Sequence, residues 1–353
     1  MNKSCIVTGG AGFIGCALSE ELAGRYDRLV VVDMMHPQIH PSQARPGLLS
    51  LRAELIVRDV CEDATWEELL HNLEGTFDIV HLAAETGTAQ SLCEATRHAM
   101  TNVVGTSRML DALARHRKFP GQILLTSSRA VYGEGAWRRQ DGSVFYPGQR
   151  TDAQLRAGEW DFPDARYIPF RADETRPNPT SVYGSTKLAQ EHILSAWSKA
   201  FSVPLKILRL QNVYGPGQSL INPYTGIVSL FVRMAKRGES IPLYEDGEIL
   251  RDFVLIDDVA QAIVLALESA DAAGNIYDIG TGRATTIREI AEVIAARYDA
   301  PAPYVCGKYR NGDVRHASCD ISAARATLHY EPQYTLSQGV ESLCGWIDAQ
   351  ISH

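Results

Sequence analysis

Tyr183 and Lys187 stand four residues apart in the run Tyr183-Gly-Ser-Thr-Lys187, and residues four apart on a helix share a face. An ammonium held beside a phenol favours the phenolate and lowers a pKa that is ordinarily near ~10. A tyrosine so placed becomes a base for an alcohol proton at neutral pH. The spacing alone is common in helices. Two other features give it meaning: Thr126-Ser127-Ser128 closes an apolar run, and Thr8-Gly-Gly-Ala-Gly-Phe-Ile-Gly15 follows the apolar Cys5-Ile6-Val7. Ser128 offers a hydroxyl that can hold a substrate hydroxyl or a developing oxyanion. Tyr183 would take or give the proton, and Lys187 would tune it while touching the ribose of a nicotinamide. Together the three features predict redox chemistry on a bound nicotinamide.

Gly9, Gly12 and Gly15 have the GxxGxxG spacing of a turn between a strand and a helix. Glycine there allows a tight turn, close approach of a pyrophosphate and packing of the helix on the sheet, and the helix N-terminus faces the diphosphate. Asp33 ends the second apolar run, eighteen residues after Gly15. A carboxylate at that place bonds both ribose hydroxyls and repels a 2′-phosphate. Met34, Met35 and His36 follow, with no arginine, so the expected cofactor is NAD rather than NADP. Asp59-Val60 either reaches the adenine amine or forms a turn. Asn212, Arg251, Arg310 and Arg315 are candidates for gripping an anionic substrate, since guanidinium groups suit phosphate geometry; ion pairing at the surface is the alternative for each arginine.

These residues need a scaffold, and the chain's rhythm supplies one. Strands are expected at Ser4–Thr8, Arg28–Asp33, Glu54–Arg58, Asp78–Ala83 and Gln122–Ser127, with helices at Gly12–Arg25, Thr65–Leu73 and Glu94–His116. Leu205–Leu210 and Asn275–Ile279 read as later strands, and Tyr183–Phe201 as a helix with an apolar stripe of Leu188, Ile193, Leu194, Trp197 and Phe201. Such alternation predicts an α/β fold with a parallel sheet covered on both faces. The expected division is a dinucleotide-binding domain over 1–212, to which a strand and helix from 251–280 return, and a smaller lobe from 213–250 and 281–353. Thr286-Ile-Arg-Glu289 fits a capping box. The stretch 134–179, rich in Gly, Pro, Arg and Asp, reads as one long loop-like insertion, and loops of that length are uncommon unless functional.

Composition narrows the class. The chain of 353 residues is 45% hydrophobic and 22% charged, which suits an ordinary globular protein with a sizeable core. Its net charge of −8, with no basic block, argues against a nucleic-acid partner. No apolar run approaches the ~18 residues of a membrane span, and the first apolar stretch is too short for a signal-peptide core. Seven scattered cysteines without a CxxC pair point to reduced thiols in a cytoplasm and away from a metal site.

The motifs TGGAGFIG (8–15), DV (59–60), HLAA (81–84), NVVGT (102–106), SSRAVYG (127–133), YGSTK (183–187), LRLQNVYGPGQ (208–218) and RDFVLIDDVA (251–260) together resemble the extended short-chain dehydrogenase/reductase superfamily, in its nucleotide-sugar epimerase/dehydratase branch. The resemblance runs from Ser4 to about Ile347. It implies a Rossmann-type doubly wound sheet with a smaller C-terminal substrate-binding lobe, tightly held NAD, and transient oxidation of one carbon of a nucleoside-diphosphate sugar. By this resemblance Gly9, Gly12, Phe13, Ile14, Asp33, Asp59, Val60, Leu82, Ala83, Ala84, Asn102, Tyr183 and Lys187 bind the cofactor. Ser128, Tyr183 and Lys187 catalyse, and Ser128, Asn212, Arg251 and Arg310 meet the substrate. The resemblance also implies a homodimer formed through helices near 94–116 and 183–201.

The 4,6-dehydratases of this branch place Asp-Glu directly after the catalytic hydroxyl residue; here Arg129-Ala130 stand there, which leaves epimerisation at C4 as the implied reaction. The long insertion and the run from Gln211 to Gly226 are similar to the dTDP-L-rhamnose 4-epimerases. UDP-glucose/UDP-galactose-type epimerases, and ketoreductases of dTDP-4-keto-6-deoxy sugars, are the alternatives the same residues allow. That sub-family often carries cysteine pairs in the insertion. This chain has no cysteine between 93 and 306, so Trp137, Trp160 and the prolines are expected to hold the insertion instead.

Overall fold

A computed structural model describes residues 3–222, 226–272 and 274–351. Seven parallel strands form the central sheet: β1 (Lys3–Thr8), β2 (Arg28–Asp33), β3 (Ala53–Val57), β4 (Thr76–His81), β5 (Ile123–Ser128), then Leu205–Leu210 and Ile276–Ile279. Across the sheet they run Ile276–Ile279, Leu205–Leu210, β5, β4, β1, β2, β3. The order reverses between β1 and β4, and open α/β sheets bind ligands beyond the strand ends at such a reversal.

The strands are continuous β-branched and apolar runs because both faces are covered. Val7, Val31 and Val80 point to the side packed by α1 (Phe13–Arg25) and the helix Ile256–Glu268. Ile6, Val30 and Ile79 point to the other side, against α2 (Asp63–His71) and the helices Thr106–His116 and Val182–Phe201. A separate apolar cluster joins Phe231, Ile290 and Leu343 from the helices Ile227–Lys236, Ile287–Arg297 and Leu336–Ile351.

The expected strands and helices of the sheet lie within two residues of their observed bounds, with one exception. Glu94–His116 is not a single helix: Ala95–Ala99 passes through a π-helical turn, Met100–Gly105, into Thr106–His116. The wide turn places the Asn102 side chain inside the protein, where it bonds Glu85 and Thr186. The capping box at Thr286 forms by half. Thr286 Oγ1 accepts from the Glu289 amide at 2.9 Å, but the Glu289 carboxylate pairs with Arg283.

The segment 134–179 is not a structureless loop. It folds into a three-stranded antiparallel sheet, with Trp137–Arg139 between Val144–Phe145 and Ala165–Tyr167, plus a helix, Asp152–Ala157, that carries a complete Thr151/Gln154 capping box. Strands this short show no hydrophobic period, which is why the sequence reads as loop. Trp137 is buried at its centre, edge-on to Phe162 at 4.8 Å and stacked on His316 at 5.4 Å. Trp160 lies at its margin, tilted against Tyr309. All seven cysteines are free thiols, and no described helix is long and apolar enough to cross a membrane. Pro223, Tyr224 and Thr225, within the run 211–226 singled out above, lie outside the described residues.

Candidate active site

The C-terminal ends of β1, β2, β4, β5 and Leu205–Leu210 open into a cleft of about 1260 Å³, walled on the far side by residues from 217–234, 242–251 and 310–313. Of the residues expected at the site, Gly9, Gly12, Phe13, Ile14, Asp33, Asp59, Val60, Leu82, Ala83, Ala84, Ser128, Tyr183, Lys187, Asn212, Arg251 and Arg310 line this cleft. Asn102 does not. Its amide is fully buried and holds the backbone of Glu85 (2.7 and 3.0 Å) and Thr186 Oγ1 (2.9 Å), so it shapes the wall from behind.

The dinucleotide end is built from backbone. Gly9 turns with φ +66°, and a Cβ there would stand 2.7 Å from the backbone of Ala83; a Cβ on Gly15 would stand 2.3 Å from Gly10 O. The first position needs glycine for its turn and the second for close approach of α1 to the turn at Gly10. Gly12 caps α1 in extended backbone with no side chain over the helix end, which leaves first-turn N–H groups for an anion. Asp33 is fixed by the amides of Ala11 (3.1 Å) and Met35 (2.9 Å); a carboxylate so held keeps lone pairs for ribose hydroxyls. Asp59 both forms a turn, accepting from the Cys61 amide at 2.9 Å, and lines the cleft. This cradle and acid fit a dinucleotide.

At the other end, Ser128 closes β5. Its Oγ accepts from the Ala130 amide at 3.2 Å and lies by the Tyr183 phenol, where it favours the phenolate. Tyr183 lies in the first turn of Val182–Phe201, capped by Ser181, whose Oγ accepts from the Gly184 amide at 3.0 Å. Gly184 lets this helix touch the turn after Ser128, because a Cβ there would meet Ala130 O at 2.4 Å. Lys187 is buried and donates to Gln190 Oε1 at 2.5 Å. Burial pushes its pKa down to about 7, opposed by Glu191.

The expectation that Lys187 lowers the pKa of Tyr183 is not met in this structure. Burial pushes the phenol up, and the groups opposing it are Ser128, by hydrogen bond, and Arg129, by charge. The ammonium is turned to Gln190. Behind Gln190 runs a buried polar chain: its amide donates to Thr106 Oγ1 at 2.9 Å and meets His81 Nε2 at 3.3 Å, while His81 Nδ1 meets Thr8 Oγ1 at 2.6 Å. Burial lowers the His81 pKa to about 3, so this imidazole is neutral at working pH. One further carboxylate pins the elements together. Glu191 accepts from Ser127 Oγ on β5 (2.5 Å) and from Arg209 on the next strand (3.0 and 2.7 Å).

The basic residues sort differently from expectation. Arg315 is buried and committed to Asp161, Glu245 and Asp246 at 2.7–3.1 Å, so it does not grip a ligand. Arg251 lines the cleft, yet its two amino groups bond Leu250 O (2.7 Å), Asp313 Oδ1 (2.8 Å) and Val314 O (2.9 Å). Arg310 lies over the Tyr244 ring at 5.1 Å.

Arg129 contributes a guanidinium that its place in the sequence, marked by the acid it lacks, does not reveal. It lines the cleft, and its Nε donates to Asn212 Oδ1 at 2.7 Å. Burial and the neighbouring Arg251 push its pKa down to about 9. Asn212 is brought there by the strand Asn212–Tyr214, which pairs with Phe253–Leu255. The cleft thus joins a dinucleotide cradle, a hydroxyl–phenol pair and a cluster of guanidinium groups, which is the equipment for reversible hydride and proton transfer on an anionic substrate.

Known proteins agree with this geometry. The chain is 58% identical over 349 residues to a dTDP-L-rhamnose 4-epimerase of Burkholderia thailandensis, covering 99% of this chain and 96% of the relative. Among solved structures it is similar to a UDP-glucose 4-epimerase of Thermotoga maritima with UDP-glucose (TM-score 0.81, 26% identity, 99% of both chains). It is also similar to a UDP-glucuronic acid 4-epimerase of Bacillus cereus in complex with UDP-glucuronic acid and NAD (TM-score 0.78, 25% identity, 98% and 99% of the two chains). The model of the NAD dependent epimerase/dehydratase family matches residues 5–280, and with the cradle, the Ser128–Tyr183 pair and the sheet order in place, the chain belongs to that family.

Proposed function

We propose that this enzyme interconverts dTDP-L-rhamnose and dTDP-6-deoxy-L-talose by epimerisation at C4. The observation that carries the substrate is the 58% identity along nearly the whole chain to a dTDP-L-rhamnose 4-epimerase. Arg129, where a 4,6-dehydratase would need its acid, fits the same reading. NAD bound in the cradle would accept the C4 hydride and return it. Tyr183 Oη takes the C4 hydroxyl proton and gives it back, and Ser128 Oγ hydrogen-bonds the same oxygen in both directions. Lys187, one helical turn after Tyr183, would turn from Gln190 to donate to the ribose. Between the two transfers the sugar has to present its other face, so the protein must hold the diphosphate firmly and the sugar loosely. Arg129 and Arg310 supply N–H donors for the firm part.

The same reading assigns 1–212, with the helix Ile256–Glu268 and strand Ile276–Ile279 returning to it, to the cofactor, and 213–250 with 281–353 to the substrate. It also makes the protein a homodimer. Support comes from the exposed Met100 and Phe201 on the expected helices and Phe119 just beyond the first, where the Phe119, Trp197 and Phe201 rings lie 4.7–6.0 Å apart; sedimentation velocity distinguishes dimer from monomer. Free cysteines suit a cytoplasmic setting. The activity itself is tested by incubating purified protein with dTDP-L-rhamnose and no added nicotinamide. Proton NMR should show the C4 epimer approaching equilibrium, and an unchanged spectrum would sink the assignment.

A further inference from the structure

The 134–179 segment is joined to the far wall of the cleft by a buried ionic seam. Arg150, 2% exposed, makes a two-pronged bond to Glu245 (2.8 and 2.8 Å) and donates to Asp313 O at 3.1 Å. The Asp313 carboxylate, one residue's width away, holds Arg251 at 2.8 Å. Glu245 in turn donates its amide to Lys308 O at 2.7 Å. Its backbone sits at φ +53°, a strained conformation that persists only where the surroundings over-determine it. Asp152, on the helix of the segment, accepts from Tyr309 Oη and Asn311 Nδ2, both at 3.4 Å. At the end of the strap, Glu134 accepts from the Arg315 amide at 3.1 and 3.0 Å.

The strap 308–313 is therefore tied at 308, 309, 311 and 313. Every tie but that at 308 comes directly from the segment, and the tie at 308 comes from Glu245, which Arg150 holds. Between the ties stands Arg310, facing the cleft. Arg150 itself does not line the cleft, so its influence on a ligand has to pass through Asp313 and the strap.

We propose that the 134–179 segment is a working part of the substrate site, in which Arg150 is the positioning residue for Arg310, which meets a nucleoside diphosphate, and for Arg251, which lines the same cleft. This rests on reading the cleft as a nucleoside-diphosphate-sugar site. The bond network carries it: one side chain from the segment clamps both the base of the strap, through Glu245, and the peptide whose carboxylate orients Arg251. A segment that served only to cover the core would need no such connection.

The test uses NAD-loaded protein and dTDP itself as the probe. Arg150→Lys keeps the charge and most of the volume but cannot make the two-pronged bond to Glu245 and the bond to Asp313 together. Arg150→Met removes these three and the bond to Trp160 O at 3.1 Å; because losing a buried cation can unfold a chain, the lysine variant is the primary one. Calorimetry should show the dTDP dissociation constant raised about tenfold or more in Arg150→Lys, the effect of losing charge-assisted hydrogen bonds. The KM for the nucleotide sugar should rise in step while kcat stays within about threefold, the pattern of lost uniform binding. NAD content should be unchanged. Combined with Arg251→Met, the two losses should be less than additive, because both act through Asp313. A folded Arg150→Lys protein that binds dTDP as the wild type does, or strict additivity with Arg251→Met, overturns the proposal. Wild-type turnover of dTDP-L-rhamnose is a separate readout: its absence would count against the proposed reaction, whereas the ratio of dTDP affinities decides the role of Arg150.

Discussion

Removing the carboxylate of Glu191 should unfasten the catalytic centre and destabilise the fold together. Glu191 is 2% exposed and Arg209 3%, so the pair lies out of water. In a Glu191→Leu variant Arg209 loses partners at Nε and Nη2, while Nη1 already has no protein partner. The Tyr132 ring, 4.7 Å from the guanidinium carbon, and the Asp278 carboxylate that Tyr132 Oη bonds remain to face the charge. Breaking a buried pair in this way costs about 3–5 kcal/mol, and the residual cation–π contact, worth about 0.5–2 kcal/mol whether or not Glu191 is present, does not offset it.

The same change frees Ser127 and with it the end of β5 that presents Ser128 to Tyr183; a displacement of about 1 Å between reacting groups lowers turnover about 10²-fold. Urea unfolding followed by tryptophan fluorescence measures the first effect and NMR-monitored epimerisation the second. Glu191→Leu combined with Arg209→Leu should recover most of the stability, because an apolar pair replaces the ionic one without leaving a bare charge. A cost below about 1 kcal/mol for the single change, or a double variant less stable than the single, would refute the reasoning.

Three other outcomes are expected. Tyr183→Phe should retain its NAD yet lose about 10²–10⁴-fold in turnover, the usual contribution of a positioned acid–base group, as read by NMR and by the absorbance of released cofactor. Gly184→Ala should separate the catalytic helix from the turn after Ser128, since the new methyl would lie 2.4 Å from Ala130 O; kcat should fall with little change in the affinity for dTDP, and a wild-type kcat would rule out that contact as a constraint. Lys187 has an ordinary pKa of 10.5 that burial lowers to about 7 in the folded enzyme. Between those values the unfolded chain binds a proton that the folded chain does not. Stability should therefore rise with pH across that window, by up to about 1.4 kcal/mol per pH unit from this group, with the full cost of burial present below pH 7. In denaturation curves run from pH 7 to 10, Lys187→Met should remove that rise.

The scaffold was legible because parallel strands buried on both faces must be long apolar runs, and Val30–Val32 or Ile123–Leu125 can be little else. The dinucleotide turn was legible for a similar reason: glycines at 9 and 15 answer to backbone contacts that tolerate no side chain, and Gly12 leaves the helix end uncovered. What sequence could not show is which of several identical groups a tertiary fold turns toward the cleft. Arg315 and Arg129 look alike in the chain. One is consumed by Asp161, Glu245 and Asp246 and the other is left beside Tyr183. The π-helical turn at Met100–Gly105 carries no compositional mark, so the buried bonds of Asn102 to Glu85 and Thr186 could not be read from the chain. The 134–179 segment was illegible because its strands are two or three residues long and its stability depends on partners such as Glu245, 95 residues from Arg150.

The central claim is that one hydride leaves C4 of the sugar and returns to the same carbon. dTDP-L-rhamnose deuterated at C4, converted in ordinary water with no added nicotinamide, tests it directly. The account predicts the C4 epimer with the deuterium still on C4 in both sugars. Loss of the label to solvent, or conversion only when reduced cofactor is supplied and consumed, would contradict it.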